Sequence, residues 1–144
     1  MITIRRIAHG RVSRIEPGVL DAALSDPCDG GLVWIDLVGR GGDDEALLRR
    51  LGLSSLEISD LLETSAHPKA ETGDGHLLTV VHGLDLDYAQ EQGEFALTTI
   101  ELDGVVGSNW VMTHADRPLE VIARARRRSS ATRPRSPRRA RCCA

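Results

Sequence analysis

Aromatic residues are scarce: two Trp, one Tyr and one Phe make up 3% of the 144 residues. The core must therefore rest on Leu, Val, Ile and Ala. Long apolar runs are missing too. The best stretches, around GLVWIDLVG and HLLTVV, fall far short of the roughly 20 residues that span a bilayer. Residues 1–30 lack the apolar run of a secretory signal. As written, the chain is expected to be soluble, intracellular and cytoplasmic. Cysteine is sparse and odd in number: Cys28 stands alone, and Cys142 and Cys143 are adjacent. With no Cys-x-x-Cys pair, both a disulfide scaffold and a cysteine-based zinc site are disfavoured. No Gly-x-Ser-x-Gly elbow is present, and GRGGDD (39–44) lacks the spacing and the Lys of a phosphate-binding loop. The chain is expected not to be an enzyme.

The length suits one domain with a real core. The formal charge of −3 conceals a split. Residues 1–123 hold all 21 acids against nine basic residues, a formal −12, whereas residues 124–144 hold nine Arg and no acid, a formal +9. The expected organisation is a folded domain over 1–123, then the end of a helix and a disordered basic tail over 124–144. Arg, Ala, Pro, Ser, Thr and Cys in that unstructured order are also what a G+C-rich gene yields in a shifted frame. A frameshift or truncation is the preferred account of the tail.

MITIRRIA reads as a first strand, with GRVSRIE as its partner. Residues 16–30 are loop-rich, with room for one helical turn. LVWIDLV (32–38) reads as a central strand buried on both faces. Asp36 within it is expected to be structural, a strand-end acid capping a neighbouring backbone. Two helices follow. Asp43 is placed to cap the first, whose stripe is Leu47, Leu48 and Leu51 and whose stop is Gly52. The second opens on a capping box, Ser54 with Glu57, and Leu53 and Ile58 form a hydrophobic staple. Ile58, Leu61 and Leu62 face the core, and Glu57, Asp60 and Glu63 face solvent. HLLTVVHGLDLD (76–87) is a long strand and YAQEQGE (88–94) a polar loop. EFALTTIELDGVVGSNWVMTHAD is two strands joined at either Asp103-Gly104 or Gly107-Ser108-Asn109. A final helix is predicted with Pro118 at its first position.

The stretch HPKAETGDGHLLTVVHGLDLD (67–87) gathers three histidines and four acids, and suggests a metal site. Strand geometry argues otherwise. His76 and His82 share a face but lie six residues apart, about 20 Å along a strand. Ligands of one ion bond it at about 2 Å. Asp85 and Asp87 point away from His82. The histidines are therefore expected to be rim residues and the acids solvated.

Several segments, in order, resemble one family. WIDL (34–37) is similar to its Trp-Ile-Asp-Leu strand. LGLSSLEISDLL (51–62) is similar to its Leu-Gly-(Leu/Ile)-His-Pro-Leu-x-x-Glu-Asp segment. HPKAETGDGHLLTVVHGL (67–84) is similar to its Arg-Pro-Lys-x-Glu strand entry and apolar strand. GSNWVMTH (107–114) is similar to its Gly-x-Asn-aromatic turn and strand, and RPLEVIARARRR (117–128) to the helix after it. Over Leu32 to about Arg128 the chain thus resembles the cytoplasmic N-terminal domain of the CorA family of magnesium and divalent-cation transporters. It departs from that pattern at Ser54-Ser55, Ser59, His67 and Gly73. The family's long helix, transmembrane segments and Gly-Met-Asn signature are absent from the sequence.

The resemblance implies an α/β/α sandwich, a mixed sheet with helices on both faces, and places the last strand turn at 107–109. It implies the sensor domain of a Mg²⁺/Co²⁺ transport protein that is a homopentamer in the family, here without its pore. By the same resemblance Asp60 is a partial regulatory ligand for Mg²⁺ (Co²⁺ being an alternative), with Glu57 and Glu63 as accessory acids. Binding is expected to be weak, because Mg²⁺ gives up its waters reluctantly. The alternative is a small soluble binding module. Its basic tail, through Arg126, Arg127, Arg128, Arg138 and Arg139, would contact nucleic acid or anionic membrane. Nucleic acid is the less expected partner, since the tail has no aromatic for base stacking.

Overall fold

The computed structural model describes residues 1–25, 31–64, 67–84 and 99–131. Seven strands form one sheet: β1 (Ile2–Ala8), β2 (Arg11–Arg14), β3 (Leu32–Val38), β4 (Lys69–Thr72), β5 (Leu77–Leu84), β6 (Thr99–Val106) and β7 (Trp110–Ala115). Their spatial order is β2-β1-β3-β7-β6-β5-β4. Among the described residues only β3 and β7 pair in parallel; every other neighbour there is antiparallel. The helices are α1 (Leu20–Leu24), α2 (Asp44–Arg50), α3 (Ser55–Leu62) and α4 (Glu120–Ala131), with a 3₁₀ turn at Pro17–Val19 ahead of α1. This is the mixed α/β sheet with helices on both faces that the sequence implied.

Alternation along β3 builds the core. Val33, Ile35 and Leu37 point to one face, where Ile4, Leu78, Val80, Val105 and Met112 join them. Helices α1 to α3 close that face with Leu20, Leu47, Leu48, Ile58 and Leu61, all buried. Burying one such side chain contributes about 1.5–3 kcal/mol, so this layer dominates stability. The opposite face is covered by α4 through Ile122 and Arg126, the only helix on it among the described residues. Leu77, Val81 and Val106, farther along that face, stay exposed.

On that second face Asp36 departs from expectation. It sits in mid-strand at 2% exposure and caps no backbone. The parallel register puts Asp36 opposite Thr113 and Trp34 opposite Val111. The Thr113 hydroxyl donates to Asp36 Oδ1 at 2.7 Å, and Trp34 Nε1–H donates to Thr113 Oγ1 at 3.1 Å. Arg126 of α4 closes the set by donating to Asp36 Oδ2. Burial, then the nearby Arg5 charge, holds the Arg126 guanidinium below its ordinary pKa. An apolar strand tolerates this acid because a hydroxyl and a cation are both delivered to it.

Smaller expectations changed too. Asp43 stands at the N-cap of α2 but its side chain caps nothing; instead the buried Asp44 carboxylate folds back and accepts from Gly41 N at 2.5 Å. The first residue of α4 is Glu120, two beyond Pro118, with Ala123 N bonding Leu119 O at 3.0 Å. Strand β5 is described as far as Leu84; residues 85–98, including Asp85, Asp87 and the YAQEQGE loop, lie outside the described residues. The turn between β6 and β7 is at 107–109, where a side chain at Gly107 would strike the Trp110 indole.

Because Asp36 is buried and Arg126 is its counter-charge, Arg126→Ala should destabilise the fold by about 3 kcal/mol in chemical denaturation. The double change Asp36→Leu with Arg126→Leu should be closer to wild type than Arg126→Ala alone, since it leaves no unpaired buried charge.

Candidate functional site

Helix α3 is the element on which the acids Glu57, Asp60 and Glu63 were placed. Its start is fixed by a reciprocal capping box: Ser54 Oγ accepts from Glu57 N at 3.3 Å, and Glu57 Oε2 accepts from Ser54 N at 2.8 Å. The Ser54 hydroxyl also reaches Glu57 Oε2, at 2.7 Å. The other oxygen, Oε1, lies 2.7 Å from His76 Nε2. Glu57 therefore turns from solvent toward the β4–β5 turn. The Ser54 backbone and hydroxyl donors, aided by His76, hold its carboxyl below the usual carboxylate range. The departure from the family pattern at Gly73 has a reason here. A Cβ at Gly73 would come within 2.4 Å of His76 Nε2 and 2.5 Å of Glu57 Oε1. The missing side chain is the space in which this pair forms.

One turn on, Asp60 is half-exposed, and its Oδ2 is held by Lys69 Nζ of β4 at 2.6 Å. Lys69 also approaches Glu71 Oε1, at 3.6 Å. The Asp60 carboxylate is the chief reason the Lys69 amine lies above its ordinary pKa. Glu63 is exposed at the end of α3 and accepts from Ser59 Oγ at 3.1 Å. The three acids thus face three ways: one to a histidine, one to a lysine, one to the exposed Ser59 hydroxyl. No cluster of three or more His, Cys, Asp or Glu suited to a metal ion occurs among the described residues. Asp60 offers an oxygen, but an ammonium already occupies it, so these residues fit Mg²⁺ poorly as they stand.

The histidines of the 67–87 stretch do not converge either. His76 pairs with Glu57, and His82 Nε2 lies 3.1 Å from Glu101 Oε2 on the adjacent strand. A third pair was not anticipated. His114 Nδ1 of β7 lies 2.9 Å from Asp103 Oδ2 of β6, both buried. Burial raises the Asp103 carboxyl above its ordinary pKa, with His114 pulling the other way. Sequence alternation puts Glu101 and Asp103 on one face of β6, but only the strand register shows that they meet His82 and His114.

The basic segment is partly spent inside the molecule. Arg126 is bound to Asp36, and Arg127 donates to Glu120 within α4. The proposed boundary at residue 124 falls inside this helix. Arg138 and Arg139 lie outside the described residues.

Two outcomes follow from the Glu57 geometry. Gly73→Ala should force His76 and Glu57 apart and destabilise the domain by about 1–3 kcal/mol, measured by denaturant titration. Glu57 has a lowered pKa, so its stabilising contribution is complete at neutral pH and is lost as pH falls below about 4. Glu57→Gln should therefore be less stable than wild type near pH 7, by about 1 kcal/mol, and the two stability curves should merge on acidification.

Comparison with known proteins places this architecture. No characterised protein matches in sequence. In structure, the full-length CmaX protein is similar with a TM-score of 0.69, at 20% identity over 90% of this chain and 39% of that one. The soluble domain of CorA from Methanocaldococcus jannaschii gives a TM-score of 0.64 at 18% identity, over 94% of this chain and 50% of that one. The ZntB cytoplasmic domain from Vibrio parahaemolyticus RIMD 2210633 gives 0.61 at 11% identity, over 91% and 50%. The chain thus spans half or less of the length of these structures. A sequence model of the CorA-like Mg²⁺ transporter proteins matches residues 29–141. That match takes in most of the Arg-rich segment, so family likeness does not stop at about Arg128. The described sheet, its turn at 107–109 and this match agree: the chain belongs to the CorA-like Mg²⁺ transporter family.

Proposed function

We propose that this chain is the cytoplasmic, cation-sensing domain of a CorA-like Mg²⁺/Co²⁺ transport protein, and that it acts by binding rather than by catalysis. The observation that carries the reading is the family match over residues 29–141. No helix among the described residues is long and apolar enough to cross a membrane, so conduction belongs to other parts of such a protein. The net acidity of residues 1–123 gathers cations near the surface without specifying a site. Asp60 is the position at which α3 meets a divalent ion. Its Lys69 partner competes there, and Mg²⁺ binding is weak for that reason as well as for the ion's reluctance to shed water. Glu63, exposed one turn away, is the accessory acid best placed to assist; Glu57 is committed to Ser54 and His76. In the assembled protein, expected to be a homopentamer, a neighbouring subunit supplies the remaining ligands.

The competition makes a sharp test. Under Mg²⁺ titration followed by NMR, the Asp60 carboxyl and Lys69 ammonium signals should move together and saturate. Lys69→Ala should bind Mg²⁺ more tightly than wild type, by roughly threefold or more, because it frees a carboxylate of its counter-charge. No saturable shift at Asp60 below about tens of millimolar Mg²⁺, in both forms, would count against retained sensing.

A further inference from the structure

Strand β2 ends the sheet, and among the described residues its outer side pairs with no other strand. Register tells which backbone groups lie on that side. His9 and Gly10 have positive φ, 51° and 72°, and form the two-residue turn between β1 and β2. Ala8 pairs with Arg11 beside this turn, Arg6 pairs with Ser13, and Ile15 N bonds Ile4 O at 3.1 Å. Bonded and non-bonded positions alternate along an antiparallel pair. Arg11, Ser13 and Ile15 therefore turn their backbone groups to β1. Val12 and Arg14 turn theirs outward, and neither backbone bonds a further strand or loop among the described residues.

The side chains around this edge carry one sign. Residues 1–15 hold four Arg and no acid; the first acid of the chain is Glu16. Arg11 and Arg14 are exposed on β2 itself. Arg5 stands beside Arg14 in the register, on the face that α4 covers. Its buried Nη1 has no hydrogen-bond partner among the described residues. Helix α4, which lies against β2, exposes Arg124 and Arg128 and extends the positive field. Charged side chains on an edge strand ordinarily keep other strands away. Here they refuse a second copy of β2, because Arg would meet Arg, and they complement a strand of the opposite sign.

We propose that β2 is a docking edge for an extended acidic segment of another protein, which adds to the sheet as a further antiparallel strand. Val12 and Arg14 supply the main-chain bonds, and alternation of side chains supplies the specificity. A residue opposite Arg14 lies beside that guanidinium, on the α4 side, and an acid fits there. Opposite Val12, with Ile7 behind it, an apolar side chain fits. Opposite Arg11, on the other face, an acid fits again. The motif recognised is thus acid-x-apolar-acid, read from N- to C-terminus. An anionic membrane would match the charge but brings no backbone to the outward amides, so the strand is the better occupant. This edge lies across the sheet from β4 and Lys69, so it stands or falls separately from the proposed Mg²⁺ contact.

The probe is a capped peptide, Thr-Glu-Thr-Val-Glu-Thr, titrated into the full chain and followed by NMR. The Val12 and Arg14 amides should shift saturably, and their hydrogen exchange should slow. Reading at these amides separates the edge from uptake by the Arg-rich residues 132–144. The same peptide N-methylated at its first Glu keeps its charge but has no N–H to donate to the Arg14 carbonyl. It should bind about tenfold more weakly. Arg14→Glu, at an exposed position, should keep the fold and weaken the parent peptide by about tenfold. The same variant should gain affinity for a peptide with Lys in place of both Glu. Val12 and Arg14 amides unmoved by the parent peptide overturn the proposal, and a response there to phosphatidylserine vesicles alone would assign the edge to a membrane instead. An N-methylated peptide that binds as well as its parent overturns it too, since charge alone would then explain the uptake.

Discussion

A carboxylate buried in the middle of a sheet is the constraint around which this domain is arranged. Asp36 lies inside an otherwise apolar strand, where an unpaired charge would cost several kcal/mol. Its needs are met from far along the chain: a hydroxyl 77 residues away and a guanidinium 90 residues away. The first requires the parallel pairing of β3 with β7. The second requires α4 to lie across the sheet face opposite the main core. The requirement of one side chain is thereby linked to the parallel pairing of β3 with β7 and to the docking of α4.

Carboxylates find partners again on the other face, this time in histidine rings. His76 with Glu57, His82 with Glu101 and His114 with Asp103 tie α3 to the β4–β5 turn, β5 to β6 and β6 to β7. Where aromatic residues are so few, imidazoles supply some of the flat, half-apolar bulk that Phe and Tyr would otherwise give. His76 has a partner at each ring nitrogen, Asp74 O and Glu57 Oε1, whereas the third pair leaves His114 Nε2 and Asp103 Oδ1 over.

Local patterns carried much of this in the sequence. The apolar run at 32–38, the leucine stripe of α2 and the Ser54–Glu57 capping box depend on residues within a few positions of one another. The sequence therefore displays them. The segments WIDL and GSNWVMTH were legible as members of one family, yet only the fold shows that Trp34, Asp36 and Thr113 meet. Asp36 was misplaced for that reason: its partners are remote, and a strand acid seen alone resembles a capping residue. Helical periodicity set Glu57 facing solvent, but a three-residue gap cannot foretell that a glycine in a distant turn leaves room for a histidine to reach it. The Asp103–His114 pair escaped notice because its members are unremarkable until strand register sets them side by side.

Helix α4 inherits a further property from its buried anchor. A residue in a helix advances by about 100° around the axis, with a rise of 1.5 Å. Arg126, locked to Asp36, therefore acts as a key in a keyway and indexes the whole helix in rotation. With Ile122 and Arg126 turned to the sheet, Val121, Arg124 and Arg128 must point outward, and all three are exposed. A single buried anion thus sets the bearing of a basic stripe on the opposite side of the helix.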